Sequence, residues 1–453
     1  MASERTLAHR FPADFQFGVA TAAYQIEGAV AEDGRKPSIW DAFSRMPGRV
    51  YRQHSGDVAC DHYHLWENDL DLIKSLGVDA YRFSIAWPRI LPEGRGPVNE
   101  KGLDFYDRLI DGMVARGLKV FPTLYHWDLP LALSGDGCWT ARSTAEAFAD
   151  YAEIVVRRLG DRMDALATMN EPWCICHLSH LYGIHAPGEK STDAFAAAVH
   201  TLNLAHGLGT QAARSAKPDL PMGIVLNAHI GYPVAETVED AEATERAFLF
   251  NNDIYFAPVF EGRYHPEILE AFGDKMAIQD GDLKTINQPL DWWGLNYYTP
   301  MRIKADASPT AEYPRAGIVP PAASEDLTDI GWEIHEDGLS DLLAELYRRY
   351  TLPPCYITEN GACYNDEPVD GIIDDQRRIN YLDKHFHATA NARDAGIPVK
   401  GYFLWSLMDN FEWAEGYKMR FGIVHVDYET LVRTLKNSAY WYLDLIKEHQ
   451  KTR

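Results

Sequence analysis

Cysteine is scarce in this chain. Cys60, Cys138, Cys174, Cys176, Cys355 and Cys363 are the only six in 453 residues. They are scattered, which argues against a disulfide framework and for buried free thiols. Cys174 and Cys176 form a C-x-C with no second pair at zinc spacing. Long apolar runs are absent too: no stretch reaches the roughly 18 residues of a membrane span. The opening MASERTLAHRFPADF has no apolar run of leader type, so the expected location is the cytoplasm. Positive charge is short, with 43 Lys and Arg against 66 Asp and Glu and a net charge of −23. No Lys/Arg cluster offers a basic patch, which argues against a nucleic-acid or membrane partner and disfavours polyphosphate substrates. What is present is an ordinary globular balance, 46% hydrophobic and 24% charged.

Apolar runs of strand length recur along the chain. They are FGVAT (17–21), YRFSI (81–85), VFPTLY (120–125), ALATM (165–169), GIVLN (223–227), WWGLN (292–296), CYITE (355–359) and GYFLWS (401–406). Short, mostly non-alternating runs are the mark of parallel strands buried on both faces. Helical stripes lie between them. Leu103, Tyr106, Leu109, Ile110, Met113 and Val114 precede VFPTLY. Phe148, Tyr151, Ala152, Val155 and Leu159 precede ALATM, with Ser143 and Glu146 as an expected capping box. Leu339, Leu342, Leu343 and Leu346 precede CYITE. Strand–helix alternation eight times over predicts a single (β/α)8 TIM barrel. A doubly wound sheet would carry a Gly-rich phosphate turn after the first strand, and none follows it. Residues 304–330, with Pro309, Pro314, Pro320 and Pro321, read as a long loop, one of the long βα loops expected at the C-terminal face. No interdomain linker appears, so 1–453 reads as one domain.

Chemistry in such a barrel sits at the C-terminal strand ends. In this chain those ends carry Gln25, Arg82, His126, Trp127, Asn170, Glu171, Asn227, Asn296, Tyr298, Glu359, Trp405, Glu412 and Trp413. Amides and carboxylates suit hydroxyl groups, and indole rings suit the apolar faces of a sugar. A lone strand-end His or Trp is more often structural; the convergence of so many sugar-type groups is what points to a saccharide. Glu171 in TMNEP and Glu359 in ITENG supply the two carboxylates that glycoside hydrolysis needs. A separation of about 5–5.5 Å would make one of them a nucleophile and the reaction retaining. The plain alternative is that each carboxylate pairs with a cation at the barrel rim. Metal binding is disfavoured: His62-Tyr63-His64 on a strand would be split between two faces, and His177, His180 and His185 share no helical face. His185 reads as a cleft residue and the other two as structural.

FQFGVATAAYQIEGA (15–29), RFSIAWPRI (82–90), LYHWDLP (124–130), TMNEP (168–172), GLNYYT (294–299), YITENG (356–361) and WSLMDNFEWAEGYKMRFGIVHVD (405–427) resemble family 1 glycoside hydrolases, of the bacterial β-glucosidase kind. The resemblance covers almost the whole chain. It implies that Glu171 is the general acid/base and Glu359 the nucleophile, with Arg82, Asn296 and Tyr298 in support. It implies a glycone subsite of Gln25, His126, Trp127, Asn170, Trp405, Glu412, Trp413 and Phe421, in which Asn170 meets the 2-hydroxyl. Trp173, Leu178, His185, Asn227 and Trp332 fall on the aglycone side. Leu131, Cys138 and Cys363 depart from the family's usual Gln, Gly and small residue, at no catalytic position.

The implied activity is retaining hydrolysis of small β-glucosides and cello-oligosaccharides, without metal or organic cofactor. In that scheme Arg82 keeps Glu359 ionised, and the charge on Glu359 keeps Glu171 protonated until the sugar esterifies Glu359. A 6-phospho-β-glycosidase is the alternative within the family; Glu412 argues against it, because its carboxylate would repel a 6-phosphate. A non-catalytic sugar-binding protein is the alternative outside enzymes, and the presence of both glutamates argues against that.

Overall fold

The computed structural model describes residues 6–308, 315–322 and 326–451. Eight strands form a closed barrel: β1 Gln16–Ala20, β2 Ala80–Ser84, β3 Lys119–Tyr125, β4 Leu166–Asn170, β5 Met222–Asn227, β6 Trp293–Asn296, β7 Cys355–Asn360 and β8 Val399–Trp405. Each pairs in parallel with its successor, and β8 pairs back onto β1. Every strand overlaps one of the apolar runs, so the (β/α)8 expectation is met.

The runs do not alternate in polarity because both faces are covered. Phe17, Val19, Tyr81, Phe83 and Leu404 join the large core cluster, while their neighbours Ala20, Ala80 and Phe403 belong to a second, smaller cluster with Phe121, Ala167 and Val225. The small cluster fills the barrel lumen, where the Phe121 and Phe403 rings meet at a tilt with centroids 5.1 Å apart. Such a barrel is a packed core. Gly18 has to be glycine there: a Cβ would lie 2.4 Å from the Phe403 ring.

Around the barrel run α1 His62–Ser75, α2 Glu100–Ala115, α3 Arg142–Leu159, α4 Thr192–Ala216, α5 Val238–Phe248, α6 Gly338–Arg349, α7 Gln376–Asp394 and α8 Asn437–Gln450. The expected stripes face inward, with the exception of Val114 at the end of α2, which is half exposed. Three expectations need correction. Ser143 and Glu146 form no capping box, because α3 starts at Arg142; the N-cap is Ala141 and makes no side-chain bond. His62 and His64 lie on a helix, the first turn of α1, where His62 meets Asp69 at 2.8 Å and His64 meets Asp61 at 2.6 Å. The stretch 304–330 is not one loop. Met301–Ala305 pairs antiparallel with Ala316–Val319 and parallel with Gly231–Pro233, in a three-stranded sheet. Pro309 and Pro314 lie outside the described residues.

The segment after β8 is held from beneath by a buried ionic knot. Asp409 takes Lys436 at 2.8 Å and Arg420 at 2.7 Å, and accepts the Gly422 N–H at 3.0 Å. A buried carboxylate is tolerable only when paired and hydrogen-bonded in this way. The knot fixes the turn that carries Glu412 and Trp413.

Candidate active site

At the C-terminal mouth of the barrel lies a cavity of about 430 Å³. Fifteen of the eighteen anticipated residues line it: His126, Trp127, Glu171, Trp173, Leu178, His185, Asn227, Asn296, Tyr298, Trp332, Glu359, Trp405, Glu412, Trp413 and Phe421. Gln25, Arg82 and Asn170 do not line it. Each stands behind a residue that does, through hydrogen bonds to Glu412, Glu359 and His126 respectively. Cavities of about 490 and 590 Å³ open elsewhere, one at the strand starts and one beside this mouth, but neither holds the carboxylate pair.

Glu359 is the penultimate residue of β7, and its two oxygens are occupied differently. Arg82 Nη1 donates to Oε1 at 2.7 Å and Tyr298 Oη donates to Oε2 at 2.8 Å. The second Arg82 nitrogen donates to Asn170 Oδ1 at 2.7 Å, so one guanidinium ties β2 to β4 and β7. Glu171 follows β4 in a left-handed conformation, φ 51°, which turns its carboxyl toward the axis. Asn296 Nδ2 donates to Glu171 Oε1 at 2.7 Å and to Asn170 Oδ1 at 3.0 Å; Thr358 Oγ1 holds the other end of that amide at 2.7 Å. Trp127 and Trp413 are also left-handed, at φ 75° and 46°. Non-glycine residues persist there only when their surroundings enforce it, commonly at functional sites.

The two carboxyls have unlike surroundings. Burial raises Glu171 to about 8, the charge of Glu359 adds to that, and no cation touches it. Burial also raises Glu359, against the pull of Arg82, Tyr298 and Asn296. The expectation that Arg82 simply keeps Glu359 ionised is therefore too spare. A guanidinium, a phenol and an amide together oppose a large desolvation penalty. Of the pair, Glu359 has the stronger support for a charged form, from its bonds to Arg82 and Tyr298, and Glu171 the weaker. Glu412 is pushed up to about 8 as well, by burial and by both other carboxyls.

One wall of the cavity is aromatic and fixed. His126 is stacked with both Trp405 and Trp413, with ring centroids 5.9 Å apart in each pair. Burial and Arg82 push its pKa well down, so the ring is neutral. Trp127 Nε1 donates to the Asn170 carbonyl at 3.0 Å. Gln25 Nε2 donates to Asn410 Oδ1 at 3.0 Å and to the Phe411 carbonyl at 2.9 Å, clamping the β1 and β8 loops together.

The decisive comparison is with protein families. The model of Glycosyl hydrolase family 1 matches residues 7–451. This chain belongs to that family. It is a glycoside hydrolase, and its barrel is the family's. The β-glucosidase of an Agrobacterium species is 60% identical over 443 residues, 98% of this chain and 96% of the relative. Beta-glucosidase A of Thermotoga maritima is 44% identical over 446 residues, 97% of this chain and 98% of the relative. Among solved structures, the Agrobacterium tumefaciens virulence factor SghA with its substrate analog salicin has a TM-score of 0.96 at 60% identity, covering 98% of this chain and 99% of that one. The Thermotoga maritima family 1 β-glucosidase with isofagomine lactam has a TM-score of 0.92 at 44% identity, covering 97% and 99%.

Some residues of this glycoside hydrolase's site escaped the sequence. Cys174 read only as a structural thiol, yet its Sγ donates to Glu171 Oε2 at 3.0 Å and lines the cavity. Its place three residues after Glu171, in a run starting just past a strand end, was the available signal. The residues Cys174–Leu181 wind as a π-helix, which sequence spacing does not announce. Ile184, Ala414 and Glu415 also line the entrance. His177 stacks on Trp173 and His180 binds Glu189, and neither lines the cavity. Among the described residues no cluster of His, Cys, Asp or Glu is arranged to hold a metal ion, and no helix is long and apolar enough to cross a membrane.

Proposed function

We propose that the chain is a retaining β-glucosidase that removes terminal β-D-glucosyl residues from small β-glucosides and cello-oligosaccharides. Glu359 attacks the anomeric carbon while Glu171 protonates the leaving oxygen. Water, deprotonated by Glu171, then releases glucose. The observation that carries this reading is the asymmetry of the two carboxyls in one cavity. Glu359 is bonded to Arg82 and Tyr298, and Glu171 is held near 8 without a cation. Esterification of Glu359 removes a charge that raises Glu171, so the acid of the first step becomes the base of the second.

Gln25, His126, Trp127, Asn170, Trp405, Glu412, Trp413 and Phe421 hold the glucose. Trp173, Leu178, His185, Asn227 and Trp332 face the aglycone. Two donors already occupy Asn170 Oδ1 and one N–H of its Nδ2 faces His126 Nε2, which leaves the second N–H to the 2-hydroxyl. The preference for unphosphorylated sugar rests on Glu412: it is buried beside two other carboxyls, and a phosphate there would add charge to a site that already resists it. One barrel encloses the site, which supports reading 1–453 as one domain, and six buried, unpaired thiols suit a reducing cytoplasm. The test is the anomer released first. Proton NMR of a fresh digest of an aryl β-glucoside should show β-glucose before mutarotation; α-glucose first would refute the double displacement.

A further inference from the structure

A chain with a net charge of −23 gathers cations at one place beside its sugar cavity. A second cavity of about 590 Å³ shares Ile184, Ala414 and Glu415 with the substrate cavity. Its outer wall is built by Arg49, Tyr51, Arg52 and Lys418, so three cations face one carboxylate, Glu415. Arg52 lies over the Tyr51 ring with its guanidinium carbon 5.2 Å from the centroid, and Lys418 Nζ lies 5.4 Å from the same centroid. Cation–π attraction holds both charges beside one flat, half-open ring. Lys418 stands 3.7 Å from Glu415, and Arg49 is tied to the Gly183 carbonyl at 3.1 Å.

The wall is fixed by its backbone. Arg52 and Gln53 are consecutive non-glycine residues in the left-handed region, at φ 51° and 56°. Such strain persists only where the surroundings enforce it. The enforcement is visible: His54 Nδ1 accepts the Tyr417 N–H at 3.0 Å, and Tyr417 Oη donates to the Ser55 carbonyl at 2.7 Å. The approach is so close that a Cβ on Gly416 would lie 2.6 Å from His54 Nδ1. The basic loop is thereby locked to the turn that follows Glu412 and Trp413.

We propose that this vestibule is an outer subsite that binds a carboxylate-bearing ring at the far end of the aglycone. The inference rests on the β-glucosidase reading of the adjoining cavity. Tyr51 and Ile184 offer apolar surface to the ring, and Arg52 and Lys418 offer charge to its acid group. A cationic aglycone meets repulsion at the same place.

The test uses matched β-glucosides of phenol and of 4-hydroxybiphenyl, each carrying a para carboxylate or its neutral carboxamide at the far end. The ratio of kcat/KM for carboxylate over carboxamide is measured in the wild type and in Arg52→Gln/Lys418→Gln. Comparing the two proteins cancels differences in leaving-group chemistry. Exposed ion pairs contribute up to about fivefold each. The ratio should therefore fall by about five- to tenfold in the variant for the aglycone long enough to reach, with carboxamide kcat/KM unchanged. Salt gives a second measurement on unaltered protein. The wild-type ratio should fall as ionic strength rises from about 0.01 M to about 1 M, where the screening length shrinks from about 30 Å to about 3 Å. A ratio equal in both proteins at both lengths and indifferent to salt overturns the vestibule while leaving the β-glucosidase reading intact. Failure of the wild type to hydrolyse both the carboxamides and nitrophenyl β-glucoside overturns the reading beneath it.

Discussion

Replacing Cys174 by alanine asks how Glu171 keeps its proton. Asn296 Nδ2 is a donor and occupies Oε1 at 2.7 Å, so the acidic proton belongs on Oε2, the oxygen that Cys174 Sγ faces at 3.0 Å. When Glu171 ionises, the thiol donates to Oε2 and stabilises the charged form, lowering the pKa. Hydrogen bonds to charged groups are worth about 1.5–3 kcal/mol, and a thiol is a weaker donor than a hydroxyl, so about 1 kcal/mol is at stake. That converts to about 0.7 pH unit. The sign follows: without the thiol the carboxylate is less stable and Glu171 holds its proton to higher pH. The first step needs Glu171 protonated, so the alkaline limb of kcat/KM, set near 8 by this group, should move upward by about 0.7 unit. The assay is a pH profile of kcat/KM for phenyl β-glucoside, whose poor leaving group needs the acid. Cys174→Ser keeps a donor and should leave the limb in place or move it down. An alkaline limb that stays or falls in the alanine variant, or rises equally in the serine variant, would refute the assignment of the thiol.

Two further outcomes follow from the same geometry. Glu171→Ala should slow cellobiose glycosylation by roughly 10²–10⁴-fold and spare dinitrophenyl β-glucoside, which leaves unaided. The latter substrate should then show a burst, slow turnover and rescue by azide to the β-glucosyl azide; equal slowing of both without a burst would make Glu171 a binding residue. Cellobiose should have a far higher kcat/KM than cellobiose 6′-phosphate, and the reverse order would overturn the role given to Glu412.

The barrel was legible because parallel strands covered on both faces are written as short continuous apolar runs, from Phe17 to Trp405. The site was legible because polar residues such as Asn170, Glu171 and Glu359 break those runs at their C-terminal ends, where no core demands them. What sequence missed depends on how the chain enters and leaves its elements. Ser143 lies inside the first turn of α3, too far along to cap it, because α3 begins at Arg142. The proline-rich stretch hides an antiparallel pairing whose strand Met301–Ala305 is half exposed and so lacks an apolar signature. The contact of Cys174 with Glu171 depends on the local winding of the chain, and the cations of the vestibule come together from segments some 360 residues apart, Arg52 and Lys418 among them.

The central claim is that Glu359 is the nucleophile, and Glu359→Ala with azide tests it most directly. The residue lies at the C-terminal end of a strand, on the cavity, and fills no core layer, so the variant should fold and lose turnover of aryl β-glucosides. Azide entering the vacated face of the sugar should restore turnover with dinitrophenyl β-glucoside and yield the α-glucosyl azide, the configuration opposite to that expected from the Glu171 variant. A β-configured azide, or full activity without azide, would contradict the account.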